Sequence, residues 1–217
     1  MQIHLTEDGS HTLFSEKLGE CYHSQHGAVQ ESEHIFIHAG FNKCIKSELN
    51  VLEVGFGTGL NAFLTLLKSD TACKKINYTA IELYPVEESI VEQLNYSDIV
   101  GGNNDDDFYK IHRAVWGQSV AINDWFSLTK IQDDFTQVNL EGIYDLIYFD
   151  AFSPEKQPEM WTQKCFDMLY RHADTGCVLV TYCAKGIVRR AMQQAGFQVE
   201  RLPGPPGKRE ILRAIKL

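Results

Sequence analysis

Residues 51–63 read VLEVGFGTGLNAF, an apolar run that breaks into Gly55, Gly57 and Gly59 and then resumes with helical character. Glycines at this spacing let the backbone turn tightly and approach a ligand that a side chain would block. The pattern is GxGxG, so the GxGxxG spacing of a dinucleotide fingerprint is missing, and no Gly-Lys-Ser/Thr follows to make a P-loop. Acids stand at the ends of successive apolar runs: Glu53 two residues before the first glycine, Glu82 after INYTAI, the pair Asp133-Asp134 after SLTKI, and Asp150 at the end of YDLIYFD. Carboxylates at such points can accept bonds from sugar hydroxyls or an amino group. Asp150 is followed at once by Ala-Phe-Ser-Pro, so it is either a loop cap or a group that meets a substrate.

These residues need a scaffold that brings strand ends together. From residue 49 onward strands and helices alternate: LNVLEV, a helix over LNAFLTLLKS, INYTAIE, a helix over VEESIVEQLN, then YDLIYFD, a helix from about Pro158 to Arg171, CVLVTYC, and a helix over KGIVRRAMQQAG that places Ile187, Val188, Ala191, Met192 and Ala195 on one face. Such alternation predicts an α/β fold with a mainly parallel sheet covered on both faces. FQVERL and REILRAIKL are separated only by PGPPGK, too short for a crossover helix, so the last strand is antiparallel. This is the class I methyltransferase, Rossmann-like, plan. SVAINDWFSLTKI predicts a hairpin turning at Asn123-Asp124, and the Gly-, Asn- and Asp-rich residues 98–110 predict a surface loop. Residues 1–48 form a small N-terminal extension, with a polar loop GECYHSQHGA and a helix over AVQESEHIFIHAG; the methyltransferase-like domain spans 49–217.

Composition narrows the classes. With 217 residues, 44 % hydrophobic, the chain fits one domain and lacks the ~20-residue apolar run of a membrane span. The first residues carry no basic start or apolar segment, and six scattered cysteines without a CxxC pair fit reduced thiols, so a cytoplasmic location is expected. His34 and His38 share a helical face, yet no further ligands stand at metal-site spacing, and no metal is expected. The net charge of −9 is uneven: from Lys185 on, eight basic residues face only Glu200 and Glu210, a balance of +6 that leaves −15 for the rest. A basic tail on an acidic body can hold a polyanion locally, or its charges can simply be solvated.

Four patches resemble one family in order along the chain: Tyr22-His23-Ser24, EVGFGTGLN, FDAFSPEKQPEMW, and GIVRRAMQQAGF followed by GPPGKREIL. The chain is similar to the S-adenosylmethionine-dependent methyltransferase domain of the bifunctional enzyme that makes 5-methylaminomethyl-2-thiouridine in tRNA, in stand-alone form. The resemblance implies S-adenosylmethionine as cofactor, held by Glu53 near the methionine moiety, Gly55, Phe56, Gly57, Thr58, Gly59 and Asn61 in the turn, Glu82 on the ribose, Asp134 at the adenine, and Asp150, which would border both cofactor and acceptor. Asp134, followed by apolar Phe135, fits better than Asp133, which stays open. Asp150 would orient the acceptor amine and take its proton, with Tyr22, Ser24, Phe152, Lys208 and Arg209 toward the substrate. Phe149 and Trp161 either wall the same pocket or pack in the core. The implied acceptor is the primary amine of 5-aminomethyl(-2-thio)uridine at the tRNA wobble position, with Arg189 and Arg190 joining Lys208 and Arg209 on phosphates. The family's flavin oxidase domain has no room here, so a separate flavin enzyme would supply the aminomethyl precursor. The sequence departs from the family at Ala151, Ser153 and Pro205-Pro206. Other readings are an aminopropyltransferase, whose glycine loop usually resembles GGGDG, a small-molecule N-methyltransferase, or a non-catalytic nucleotide- or RNA-binding module.

Overall fold

The computed structural model describes residues 1–101 and 105–217. Three short strands, β1 (Gln2–Leu5), β2 (His11–Ser15) and β3 (Glu20–Cys21), make a small antiparallel sheet of their own. An eight-stranded sheet follows: β4 (Glu48–Val54), β5 (Lys75–Ile81), β6 (Ser119–Ala121), β7 (Phe126–Ile131), β8 (Tyr144–Phe149), β9 (Ala173–Thr181), β10 (Gln198–Pro203) and β11 (Glu210–Ile215). Their spatial order is β10-β11-β9-β8-β4-β5-β7-β6. The strands from β9 to β7 run parallel, whereas β11 is antiparallel to both β9 and β10. The last strand is thus antiparallel as expected, but it lies inside the sheet, and β10 forms the edge.

Alternation of side chains across the sheet builds two cores. Val51 and Tyr148 point to the layer that holds Phe36, Phe63 and Phe126. Their chain neighbours Leu52 and Phe149 point to the layer of Trp161, Phe166 and Met192. Central strands are buried on both faces, which is why β4 and β8 read as nearly continuous apolar runs.

Helices α1 (Ala28–Ser32) and α2 (Leu60–Thr71) pack against each other. α1 continues as a wider turn over Glu33–His38, where the Ala39 amide bonds back five residues to the His34 carbonyl. This N-terminal layer covers α2, whose residues Leu60 to Leu66 are all buried. The predicted helix over residues 86–95 shrinks to a single turn, α3 (Glu88–Val91).

The loop expected over residues 98–110 is a misreading. Residues 98–100 close helix α4 (Tyr96–Val100), and 105–110 open helix α5 (Asp105–Arg113); Gly102 to Asn104 lie outside the described residues. Polar composition hid α5, but Phe108 and Ile111, three apart, are buried and anchor it. Helices α6 (Gln163–His172) and α7 (Gly186–Ala195) pack together behind β8 and β9. On α7 Val188, Ala191 and Met192 face inward as expected, while Ile187 is 56 % exposed. The β6–β7 hairpin does turn at Asn123-Asp124, where Asn123 Oδ1 accepts from the Trp125 amide at 2.9 Å.

Candidate functional site

The carboxyl ends of β4, β5, β7 and β8 open into one cavity of about 790 Å³, covered by residues 14–25 of the N-terminal sheet and its following loop. Ligands in open α/β sheets bind at such a place. The glycine turn after β4 lines it with Gly55, Phe56, Gly57 and Thr58, and Asn61 enters from the first turn of α2. All three glycines have positive φ, 92°, 49° and 73°. At Gly55 an added Cβ would lie 2.5 Å from the Asp150 carbonyl oxygen, so the motif also lets the ends of β4 and β8 meet. At Gly59 it would strike the His112 ring at 2.6 Å. That ring sits 3.0 Å from the Thr58 carbonyl through Nε2. Burial, then the nearby Lys130 charge, lowers His112 to about 4, so it is neutral and donates Nε2–H to that carbonyl.

Glu82 lies at the end of β5, and its two carboxylate oxygens accept from the Gly57 and Tyr84 amides, each at 2.9 Å. Its orientation is therefore fixed by backbone, with lone pairs left for a diol. Asp133 and Asp134 both line the cavity. Asp134 Oδ1 accepts from the Thr136 amide and hydroxyl at 2.8 Å, while Asp133 Oδ1 accepts from the Asp134 amide at 2.7 Å. Phe135, next along the chain, is buried, and the cavity is lined by both acids.

Glu53 is placed differently from the rest. It is fully buried below the turn and does not line the cavity. Burial, then Asp150, pushes its carboxyl well above the usual range, with Asn61 and Tyr78 as polar neighbours. A neutral Glu53 is a support beneath Asn61 and Asp150 rather than a surface of the cavity.

Asp150 directly follows β8, with its amide bonded to the Val54 carbonyl and its Oδ2 accepting from Asn61 Nδ2, both at 2.9 Å. Its carboxyl opens into the cavity but is otherwise enclosed, and burial raises it to about 7. Asn61 opposes that shift, Glu31 adds to it, and Lys208 reduces it. Beyond Asp150, Tyr22 and Phe152 meet edge to face with centroids 4.8 Å apart, and Ser24 lines the same wall. Ser153 ties this loop to the N-terminal sheet by donating its hydroxyl to Glu20 at 2.9 Å.

Phe149 is fully buried among Phe135, Trp161 and Phe166, so it packs in the core. Trp161 lies outside the cavity and donates Nε1–H to the Phe152 carbonyl at 2.7 Å, fixing the loop from behind.

The basic tail is largely neutralised within the fold. Lys185 pairs with Glu155, Arg201 with Glu210, Arg213 with Glu200, and Lys216 donates to the Tyr170 and Ala173 carbonyls. Arg190 and Arg209 are exposed, without an ion pair among the described residues, and Arg189 is half-buried. Lys208 turns into the cavity and lies 3.3 Å from Glu31. Glu31 and Tyr182 are among the lining residues that the sequence did not single out, and His23, which lines the cavity beside Tyr22 and Ser24, is held neutral by burial at about 4. Glu31 had a signal, an acid in phase with buried Ala28, Ser32 and Ile35 on one helical face. His34 bonds the Pro203 carbonyl and His38 faces Glu33.

The cavity fits S-adenosylmethionine. Its turn has glycine at three positions, Glu82 is pre-aimed, and among the described residues the buried Asn61 Oδ1 has no hydrogen-bond partner. A family model described as S-adenosyl-L-methionine-dependent methyltransferase matches residues 118–217. The chain is 29 % identical, over 98 % of its length, to the tRNA 5-methylaminomethyl-2-thiouridine biosynthesis bifunctional protein MnmC of Pseudoalteromonas atlantica. It is 30 % identical, over 96 %, to that of Leptospira interrogans. It spans about a third of the length of these curated relatives, 33 % and 34 %. The crystal structure of MNMC2 from Aquifex aeolicus superposes with a TM-score of 0.81 at 26 % identity, covering 99 % of this chain and 69 % of that one. Spermidine synthase from Thermotoga maritima shares the fold at 11 % identity, with a TM-score of 0.57 over 100 % of this chain and 72 % of that one.

Proposed function

We propose that this S-adenosylmethionine-dependent methyltransferase transfers a methyl group to the primary amine of 5-aminomethyl(-2-thio)uridine at the wobble position of tRNA. The observation that carries the reading is the convergence on one cavity of a cofactor cradle and Asp150, a carboxyl that burial raises to about 7. When bound, the cofactor supplies an electrophilic methyl group. Gly55 to Gly59 and Asn61 would hold its methionine end, Glu82 the ribose, and Asp134 the adenine amino group.

An alkylammonium has no lone pair, so a proton must leave before attack. In water the gap between an aspartate and a lysine-like ammonium is roughly six pKa units, which strongly favours the unreactive ion pair. Raising Asp150 to about 7 brings that gap to roughly three, and desolvation of the amine narrows it further. Asp150 then accepts the proton directly or through water, and its bond from Asn61 keeps the carboxyl in place. Tyr22 and Phe152 offer aromatic surfaces for a base turned out of its stack. Arg190 and Arg209 are the candidates for phosphate contacts, and the precursor amine would come from a separate flavin enzyme.

Labelled S-adenosylmethionine and tRNA from cells lacking this methylation provide the test. Label recovered in 5-methylaminomethyl(-2-thio)uridine supports the reading. Label only in small amines would point to a small-molecule N-methyltransferase, aminopropyl transfer from the decarboxylated cofactor to a polyamine synthase, and binding without product to a non-catalytic module.

A further inference from the structure

The cavity already contains an alkylammonium, the protein's own. Lys208 reaches in from the turn between β10 and β11, and its Nζ lies 3.3 Å from Glu31 Oε1 and 4.7 Å from the Tyr182 ring centroid. A carboxylate on one side and an aromatic face on the other is the chemistry that recognises ammonium ions. Each part of this seat is braced. Glu31 is 7 % exposed, and its Oε2 accepts from the Ser24 amide at 2.7 Å. Tyr182 donates its hydroxyl to the Ala151 carbonyl at 2.9 Å, one residue past Asp150. Lys208 is the more exposed partner, its side chain 29 % exposed on a four-carbon stem with several rotatable bonds, whereas that of Glu31 is 9 % exposed. Glu31, Lys208, Tyr182 and Asp150 all line the same cavity. The charges of Glu31 and Lys208 both act on Asp150, so the seat and the proton acceptor are within electrostatic reach.

We propose that Glu31 and the Tyr182 ring form the seat that selects a primary ammonium substrate, and that Lys208 occupies this seat in the free protein and is displaced by the substrate. Resting on the reading of the protein as an amine methyltransferase, this names the residue that tells an amine-bearing base from an unmodified one. Displacement keeps the charge balanced, because one ammonium replaces another beside Glu31 and no buried carboxylate is left unpaired. Uridine brings no cation, so it cannot replace Lys208 without leaving Glu31 bare. The neighbouring Asp150 is then presented with a substrate nitrogen that Glu31 has already located. The same geometry removes Lys208 from the set of phosphate contacts in the free protein.

The test uses the full chain saturated with S-adenosylhomocysteine, titrated by calorimetry with two anticodon stem-loops, one carrying 5-aminomethyluridine at the wobble position and one carrying uridine. Wild type should prefer the amine-bearing RNA. Glu31→Gln, which keeps size and the bond from Ser24, should cut that preference by roughly tenfold or more, as expected for a lost charge-assisted bond. Lys208→Met should increase the preference several-fold, and the amine-bearing RNA should restore thermal stability that this variant loses. An unchanged preference in Glu31→Gln would overturn the inference while leaving the methyltransferase reading intact. Equal weakening of both RNAs by Lys208→Met would mark Lys208 as a phosphate contact and also overturn it. Equal binding of both RNAs by wild type would overturn the inference too, while the methyltransferase reading itself stands or falls on the methylated nucleoside in the labelling test.

Discussion

Asn61 Nδ2 donates to Asp150 Oδ2 at 2.9 Å, joining the first turn of α2 to the carboxyl end of β8. The cofactor turn and the proposed proton acceptor are therefore one mechanical unit. Because Asn61 stabilises the charged form of Asp150, its loss removes the larger of the two influences that oppose burial and leaves only Lys208 against it. Asn61→Leu should shift the acidic limb of the pH–rate profile to higher pH and lower turnover at pH 7. A profile superposable on wild type would detach Asn61 from Asp150 in the reaction.

Asp150 also makes a prediction about stability. Its folded value, about 7, lies above the unfolded value near 3.8. The folded state thus binds more protons between these values. Stability from this group is complete below about pH 4 and falls as pH rises through about 7, by up to ~4 kcal/mol. Asp150→Asn removes that dependence. Its melting temperature should exceed wild type at pH 8 and approach it at pH 4, as scanning calorimetry of the cofactor-free protein would register. An equal shift at both pH values would contradict the assignment.

Gly55 tests the close approach of two strand ends. An alanine Cβ there meets backbone at 2.5 Å as well as an unfavourable φ, whereas at Gly117, φ 75°, nothing lies within 4 Å. Gly117→Ala should cost roughly the 1 kcal/mol of left-handed backbone strain. Gly55→Ala should cost more and weaken S-adenosylmethionine binding at least tenfold. Chemical denaturation and calorimetry on the two variants separate these effects.

These cases show what the sequence could and could not reveal. The glycine turn, the acids at strand ends and the antiparallel last strand were all readable, because strand-end acids and glycines follow directly from apolar runs. Lys208 was readable only as a basic residue in a basic tail. That it turns inward depends on Glu31, 177 positions away, and such a pairing leaves no local pattern. Glu53 fits its motif by position, yet its burial beneath the turn depends on how Tyr78 and Asn61 pack around it. Helix α5 was missed because its stripe is short and its first residues are acidic.

The remaining exposed arginines carry the nucleic-acid part of the account. Arg209→Glu should weaken binding of the amine-bearing and unmodified RNAs equally. It should also reduce the slope of log K against log salt by about 1 or slightly more. Unchanged affinity and slope would leave Arg209 as a solvated surface charge.

The most direct measurement is single-turnover methylation of tRNA bearing 5-aminomethyl(-2-thio)uridine by wild type and Asp150→Ala, each with its S-adenosylmethionine affinity measured by calorimetry. Wild type should yield the 5-methylaminomethyl nucleoside. Asp150→Ala should lose at least 100-fold in rate, in the range of a removed general base, while cofactor affinity stays within a few-fold. No methylated nucleoside from wild type, or near-normal methylation by Asp150→Ala, would contradict the account.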